Sequence, residues 1–364
     1  MSPDEYTHLV YRCQHRFACF SFPINCFLIY LIVKKSPPQL GAYRFLMVFI
    51  SIFEMSYSLL DVLIGPLNMS FASAFLTIVS KKGSSFSADT LNSLNAVYWG
   101  FFGSSLALFA VQFIYRYLAV TGYLFDSSIF FEVHDLSVLR NELIKTFNSW
   151  RIGLWFLIPF SSGLTWSFTG ILLCGPEERT TRIIRLRVDE VFALNSNEFV
   201  YLGPQIYEKS AETGEVRVRI GATFGLLMLG ATATLSLTIV LCTGWKCYKR
   251  LSALIRISSN FHSKLQLQLF NALVLQTVIP LLLLNIPAMI IFFLTLFYSE
   301  SGILDGFISI TIALYPVIDP LPTIFIIKDY RQTVLEYLHL HRLKCFKNRI
   351  DSTTFDIQSV QRMA

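Results

Sequence analysis

Apolar and polar positions along this chain separate into long blocks. Seven apolar runs lie at about Phe17–Val33, Phe45–Leu67, Ala96–Val120, Ile152–Cys174, Ile220–Cys242, Leu269–Phe297 and Leu304–Ile327. Each approaches the roughly 20 residues that carry an α-helix across a bilayer. The first is stopped by Lys34 and Lys35 and by a turn whose Pro37, Pro38 and Gly41 forbid helix continuation. The pattern predicts an all-α membrane protein. A seven-helix transmembrane domain would occupy residues 17–327, after an extracellular amino terminus at 1–16 and before a cytoplasmic basic tail at 328–364.

The last run breaks the apolar pattern. Ala313–Arg331 reads ALYPVIDPLPTIFIIKDYR and places Pro316, Asp319, Pro320 and Pro322 within hydrocarbon. A proline deletes an intrahelical hydrogen bond and crowds the carbonyl four residues back. A carboxyl group at the bilayer centre costs about 2.5–3.5 kcal/mol even on the lenient insertion scale. A helix that only anchors needs neither, so this one reads as a deformable element whose acid faces a protein or water interior. The blander alternative is a kinked packing helix with a hydrogen-bonded acid. Helix six carries Pro280 and Pro287 with Asn285 between them, and it too is predicted to bend.

Composition agrees with a membrane protein: 54% of residues are hydrophobic and 15% charged, against about 25% charged in soluble chains. The first sixteen residues mix both signs of charge and offer no cleavage site, so helix one is expected to serve as its own insertion signal. Seven spans put the two termini on opposite faces. Of 30 Lys and Arg, 19 fall in the loops after helices one, three and five and in the tail, which assigns that face to the cytoplasm and the amino terminus to the outside. Asn68-Met69-Ser70, the one Asn-x-Ser/Thr triplet, then lies outside, where Asn68 would accept a glycan. The net charge of +6 is spread over loops and tail and asks for no nucleic-acid partner.

The long outer loop Gly175–Arg219 contains VFALNSNEFVYLG, whose alternation around Asn-Ser-Asn predicts a hairpin over 191–203. The loop after helix three contains the apolar piece LFDSSIFFEV (124–133), either a short interfacial segment or an insertion. In the tail, Val334, Leu335, Leu338, Leu340 and Leu343 among basic residues predict a helix on the inner leaflet, with anionic lipids as partners and Cys345 placed for a palmitate. Seven scattered cysteines without CxxC spacing argue against a metal, and no cofactor is expected.

Catalysis is disfavoured: five of six histidines lie outside the spans, His15 lies at the mouth of helix one, and no HExxH, GxSxG or phosphate-binding Gly-rich loop occurs. A proton-coupled transporter or ligand-gated channel stays open, since Glu54, Asp61, Asp305 and Asp319 are intramembrane acids. No pair of related halves is visible, however, as transporters commonly show. Signal transfer fits better. Arg116 lies between Tyr115 and Tyr117 at the inner end of helix three, near the face reached by Tyr315, Pro316, Asp319 and Pro320 of helix seven. A lone Arg there is otherwise a snorkelling anchor. By depth alone, Asp61, Tyr98, Phe102, Ser105, Asn285 and Asp305 would face the outer bundle. A mostly apolar pocket there suits a small volatile or weakly polar molecule.

Five stretches then carry a resemblance: SPPQLGAYRFLMVFISIFEMSYSLLDVLIGP (36–66), FIYRYLAVTG (113–122), TFNSWRIGLWFLIP (146–159), LQLQLFNALVLQTVIPLLLLNIP (265–287) and ALYPVIDPLPTIFIIKDYR (313–331). Together they resemble the successive signatures of the nematode serpentine chemoreceptors of the Str group (class r), and the likeness covers nearly the whole chain. It implies a rhodopsin-like architecture and a G-protein-coupled olfactory receptor in the ciliary membrane of chemosensory neurons. Its partners would be a small-molecule odorant and a heterotrimeric G protein. FIYRY stands where rhodopsin-like receptors carry Asp-Arg-Tyr, with Arg116 the matching arginine, and YPVIDP stands where they carry the Asn-Pro motif of helix seven. Two departures accompany the likeness. The loop after helix three is longer than the group leads one to expect, and helix three lacks a Cys at its outer end, for which Cys13 with Cys174 would be the substitute disulfide.

Overall fold

The computed structural model describes residues 2–125, 142–147, 151–209, 216–257, 261–297 and 306–337. In chain order, α1 (Pro3–Lys35) and α2 (Tyr43–Ile64) lead into the hairpin strands β1 (Leu67–Phe71) and β2 (Ala74–Ser80). Next come α3 (Ala88–Phe125), the short α4 (142–147), α5 (Ile152–Leu173) and α6 (Glu178–Phe192). Strands β3 (Phe199–Leu202), β4 (Tyr207–Lys209) and β5 (Val216–Val218) precede α7 (Ile220–Ile257). The chain continues with α8 (Phe261–Pro280), a π-helical turn over Leu281–Asn285, α9 (Ile286–Leu296), α10 (Phe307–Ile318), α11 (Pro320–Ile326) and α12 (Lys328–Tyr337). Taking α8 to α9 and α10 to α11 as single spans, seven helices among the described residues are long and apolar enough to cross a membrane. The architecture is a seven-transmembrane helix bundle.

Helix ends differ from the sequence expectation for local reasons. α1 starts at Pro3, not near Phe17, because Ser2 caps it: Ser2 Oγ accepts from the Glu5 amide while Glu5 Oε2 accepts from the Ser2 amide, with Pro3 at the first position. The stretch expected to be a separate terminus is thus the first part of helix one. α2 stops at Ile64 rather than Leu67 because Gly65 adopts a left-handed φ of 53° and its amide closes on Asp61 O. A side chain at Gly65 would also lie 2.7 Å from the Tyr11 ring. α3 and α7 run for 38 residues each, roughly 57 Å at the helical rise, and so extend beyond the hydrocarbon.

The tightest helix contact joins α3 to α5. A Cβ on Gly163 would meet Gly100 O at 2.9 Å and Ser104 Oγ at 2.2 Å, and one on Gly100 would meet Gly163 O at 2.9 Å. Ser104 Oγ donates to Pro159 O at 2.9 Å and Ser162 Oγ to Gly103 O at 3.0 Å. With lipid on the outside, helices associate through such close backbone approach and cross-helix hydrogen bonds rather than hydrophobic burial.

One end of the bundle carries a small sheet. β1 and β2 pair antiparallel, and β3 joins β2 with Thr77 opposite Leu202. The hairpin expected within 191–203 does not form. Val191 and Phe192 end α6, Ala193 turns left-handed, and FVYL pairs with β2 instead. Alternation marks a strand but not its partner, and β2 offers the better edge. Ile184, Val188 and Phe192 of α6 cover Met69, Leu76, Ile78 and Tyr201 of the sheet. Arg219 pairs with Glu177 and donates to Thr180 Oγ1 at 2.8 Å, tying α6 to the start of α7.

At the opposite end, α12 turns back against α1. Tyr330 is fully buried and its hydroxyl lies 2.5 Å from Ser36 Oγ; burial pushes that hydroxyl up to about 12. The rest of the tail with Cys345, the piece over 126–133, and Asp305 lie outside the described residues.

Candidate functional site

A cavity of about 1200 Å³ opens between α3, α7, the α8 to α9 span and α10. Its roof at the sheet end is Asn68, Phe75, Thr77 and Pro204, and its wall on α3 is Tyr98, Trp99, Phe102, Phe109 and Phe113. Aromatic and aliphatic groups dominate, with few polar atoms among them. Tyr98 is 3% exposed. Its hydroxyl sits among Tyr57, Asp61 and Asn68 without a well-formed hydrogen bond to any of them. Asn285 reaches the cavity from the π turn, where Pro280 and Pro287 break the regular ladder; its Nδ2 donates to Pro280 O at 3.4 Å.

Deeper in the bundle lies a polar core that the prolines create. In a regular helix Pro316 O would accept from the amide of residue 320, but residue 320 is proline and has none. Asn25 Nδ2 at 3.0 Å and Ser21 Oγ at 3.3 Å, both on α1, donate to that carbonyl instead. Ser58 Oγ of α2 donates to Ser21 Oγ at 3.0 Å. Asp319, fully buried, accepts from Gln276 Nε2 of α8 at 3.2 Å. Glu54 of α2 faces Asp319 and accepts from the Tyr315 hydroxyl at 3.5 Å. Four spans therefore meet through neutral amide and hydroxyl donors around two acids. A small void of about 10 Å³ lies beside them, lined by Ser51, Glu54, Gln276 and Thr323.

Arg116 is not a snorkelling side chain. It is 2% exposed, with its guanidinium carbon 3.5 Å above the ring of Tyr43 and Nη1 donating to Gln266 Oε1 of α8 at 3.2 Å. Tyr43 stacks on Tyr115 at 5.3 Å, and Tyr115 meets Phe147 of α4 edge-on at 4.8 Å. Nε and Nη2 of Arg116 have no hydrogen-bond partner. A buried cation held by one amide and a ring face is an incompletely satisfied group, and a change in α8 would release it.

The residues singled out from sequence therefore fall into separate places. Tyr98, Phe102 and Asn285 line the cavity. Asp61 is buried behind Tyr98, and Ser105 Oγ is turned onto Phe102 O at 2.7 Å; neither lines it. Tyr115 and Arg116 form the α3 to α8 link, while Tyr117 is half-buried against the main core. Tyr315, Pro316, Asp319 and Pro320 belong to the polar core. Asn68, the expected glycan acceptor, is 3% exposed; its Nδ2 donates to Ser309 Oγ at 3.2 Å and its Oδ1 accepts from Thr77. The substitute disulfide is corrected: Cys13 and Cys174 are both free.

Sequence reasoning passed over Ser21, Asn25, Gln276, Tyr43 and Gln266. A lone Ser and Asn four apart in the apolar run of helix one share a helix face. Set beside the missing amide of Pro320, they were the available signal.

Comparison with known proteins follows the same lines. The sequence profile of the family described as serpentine type 7TM GPCR chemoreceptor Str matches residues 10–131 and 135–335. The chain is 34% identical over 330 residues to the G-protein coupled receptor str-217 of Caenorhabditis elegans, covering 88% of this chain and 87% of that protein. It is 26% identical over 337 residues to the serpentine receptor class r-10 of Caenorhabditis briggsae, covering 92% and 90% of the two chains. With the Caenorhabditis elegans class r-10 receptor it shares 25% over 318 residues, 87% of each chain.

Proposed function

Because the chain belongs to the serpentine 7TM chemoreceptor family Str, we propose that it is an olfactory G-protein-coupled receptor for a small, weakly polar, volatile molecule. The ligand binds in the cavity beside Tyr98, Phe102 and Asn285. The amino terminus and sheet face the outside, α12 and the basic tail face the cytoplasm and its anionic lipids, and the working membrane is that of a sensory cilium. The observation that carries this reading is that one helix serves both ends. The α8 to α9 span lines the cavity at Asn285, and towards the tail end it holds Asp319 through Gln276 and Arg116 through Gln266.

Ligand binding shifts a population between two arrangements. A ligand that prefers the π turn displaced moves α8, parts Gln266 from Arg116 and opens a crevice at the tail end for a G-protein helix. The free energy available is only the difference in its affinity for the two states. In a reconstituted exchange assay with a panel of volatiles, wild type is expected to accelerate nucleotide release, and Arg116→Ala is expected to reach the membrane and fail to do so. Full signalling by Arg116→Ala would remove its assigned role. Ligand-evoked ion current or solute uptake without a G protein would replace the receptor reading with that of a channel or transporter.

A further inference from the structure

The cavity is not closed on its flank. α7 packs along α3 but only sparsely against α8. Leu237, Leu241 and Trp245 of α7 and Val274, Val278 and Met289 of the facing span line the cavity and are 36% to 63% exposed. The two spans that carry them meet sparsely, which leaves the cavity's flank between them open. Towards the sheet end the route is covered. Contacts from β1 hold the sheet over the helix ends: Ser70 Oγ lies 3.0 Å from Thr295 Oγ1, Asn68 O accepts from the Gly306 amide, and Phe75 of β2 forms part of the roof, with α6 packed over the sheet.

We propose that the ligand enters sideways from the bilayer core, through the gap between α7 and the α8 to α9 span, and that it is an uncharged lipophilic molecule. The chemical class follows from the path. A charged molecule would cross a wall of Leu, Val, Met and Trp with no counter-charge. The identity of this cavity as the ligand site rests on the receptor reading above; the side opening does not.

The test uses the full chain in vesicles containing a phospholipid whose acyl chain ends in an aryl diazirine, a probe that cannot arrive from water. Photolysis and peptide mapping are expected to label Phe102 and Phe109 of the cavity wall as well as Phe160 and Leu172 of α5, which are 61% and 74% exposed and do not line the cavity. Gly230 lies on the α7 rim, and a Cβ there meets nothing within 4 Å. Gly230→Phe is expected to cut the labelling of α3 at least threefold while Phe160 and Leu172 are labelled as before, which also controls for folding. Nonane in the lipid is expected to suppress the labelling of α3 and to leave that of Phe160 and Leu172 unchanged. Labelling confined to the outer wall overturns the side entrance, and α3 labelling that nonane does not reduce overturns the uncharged lipophilic class. Because no G protein is present, a failure here leaves the signalling reading standing, and a silent exchange assay leaves the opening standing.

Discussion

The carbonyl of Pro316 shows how a single missing hydrogen atom organises three helices. Pro320 removes its natural donor, and Asn25 and Ser21 take over from α1. Asn25→Ala is expected to lower stability by about 1–2 kcal/mol, the scale of interhelical hydrogen bonds in membranes, read as a drop in melting temperature in detergent. In a Pro320→Ala background, where the helical amide is restored, the same change is expected to cost about half as much or less. Equal losses in both backgrounds would refute the donor replacement. Cysteine chemistry gives a second residue-level expectation. The thiolate is the reactive form, and the Cys174 side chain is 2% exposed, out of reach of an oxidising partner. Non-reducing peptide mapping of native protein should recover Cys13 and Cys174 as separate free thiols, and a linked peptide would contradict the structure.

At the scale of elements, the α3 to α5 contact depends on glycine at specific points. Gly163→Leu is expected to reduce the amount of folded protein at the membrane severalfold, since Gly100 O and Ser104 leave no space. Gly230→Leu, facing open space, is expected to leave it unchanged. Element by element, what the sequence disclosed depended on how local the cause was. The seven spans and the bends at Pro280, Pro287 and Pro320 follow from residues within each segment, and so were legible. The capping box at Ser2 was written in plain residues but masked by the apolar count, which starts only at Phe17. The sheet was hidden because β1 reads as the continuation of helix two, and β3 finds its partner more than a hundred residues away in β2. Arg116 and Asp319 stood out as costly groups in an apolar setting, while their partners Gln266, Tyr43, Gln276 and Glu54 come from other helices, a pairing that no single segment encodes.

The whole molecule is a bundle whose cavity and whose tail-end link share one span, α8 to α9. The orientation argued from the 19 basic residues on one face predicts that an epitope tag at the amino terminus is reachable on intact cells and a carboxyl-terminal tag only after permeabilisation. Both tags on one side would contradict an odd number of crossings. The central claim, that parting α8 from Arg116 produces the signalling state, is tested most directly without any ligand. Gln266→Ala removes a hydrogen bond to a charged group, a contribution of about 1.5–3 kcal/mol, and about 1.4 kcal/mol is a tenfold change in an equilibrium. Basal nucleotide exchange by a reconstituted G protein should therefore rise about tenfold over wild type with Gln266→Ala and stay at the receptor-free level with Gln266→Ala/Arg116→Ala. Unchanged basal exchange in Gln266→Ala, or equal exchange in the single and double variants, would contradict the account.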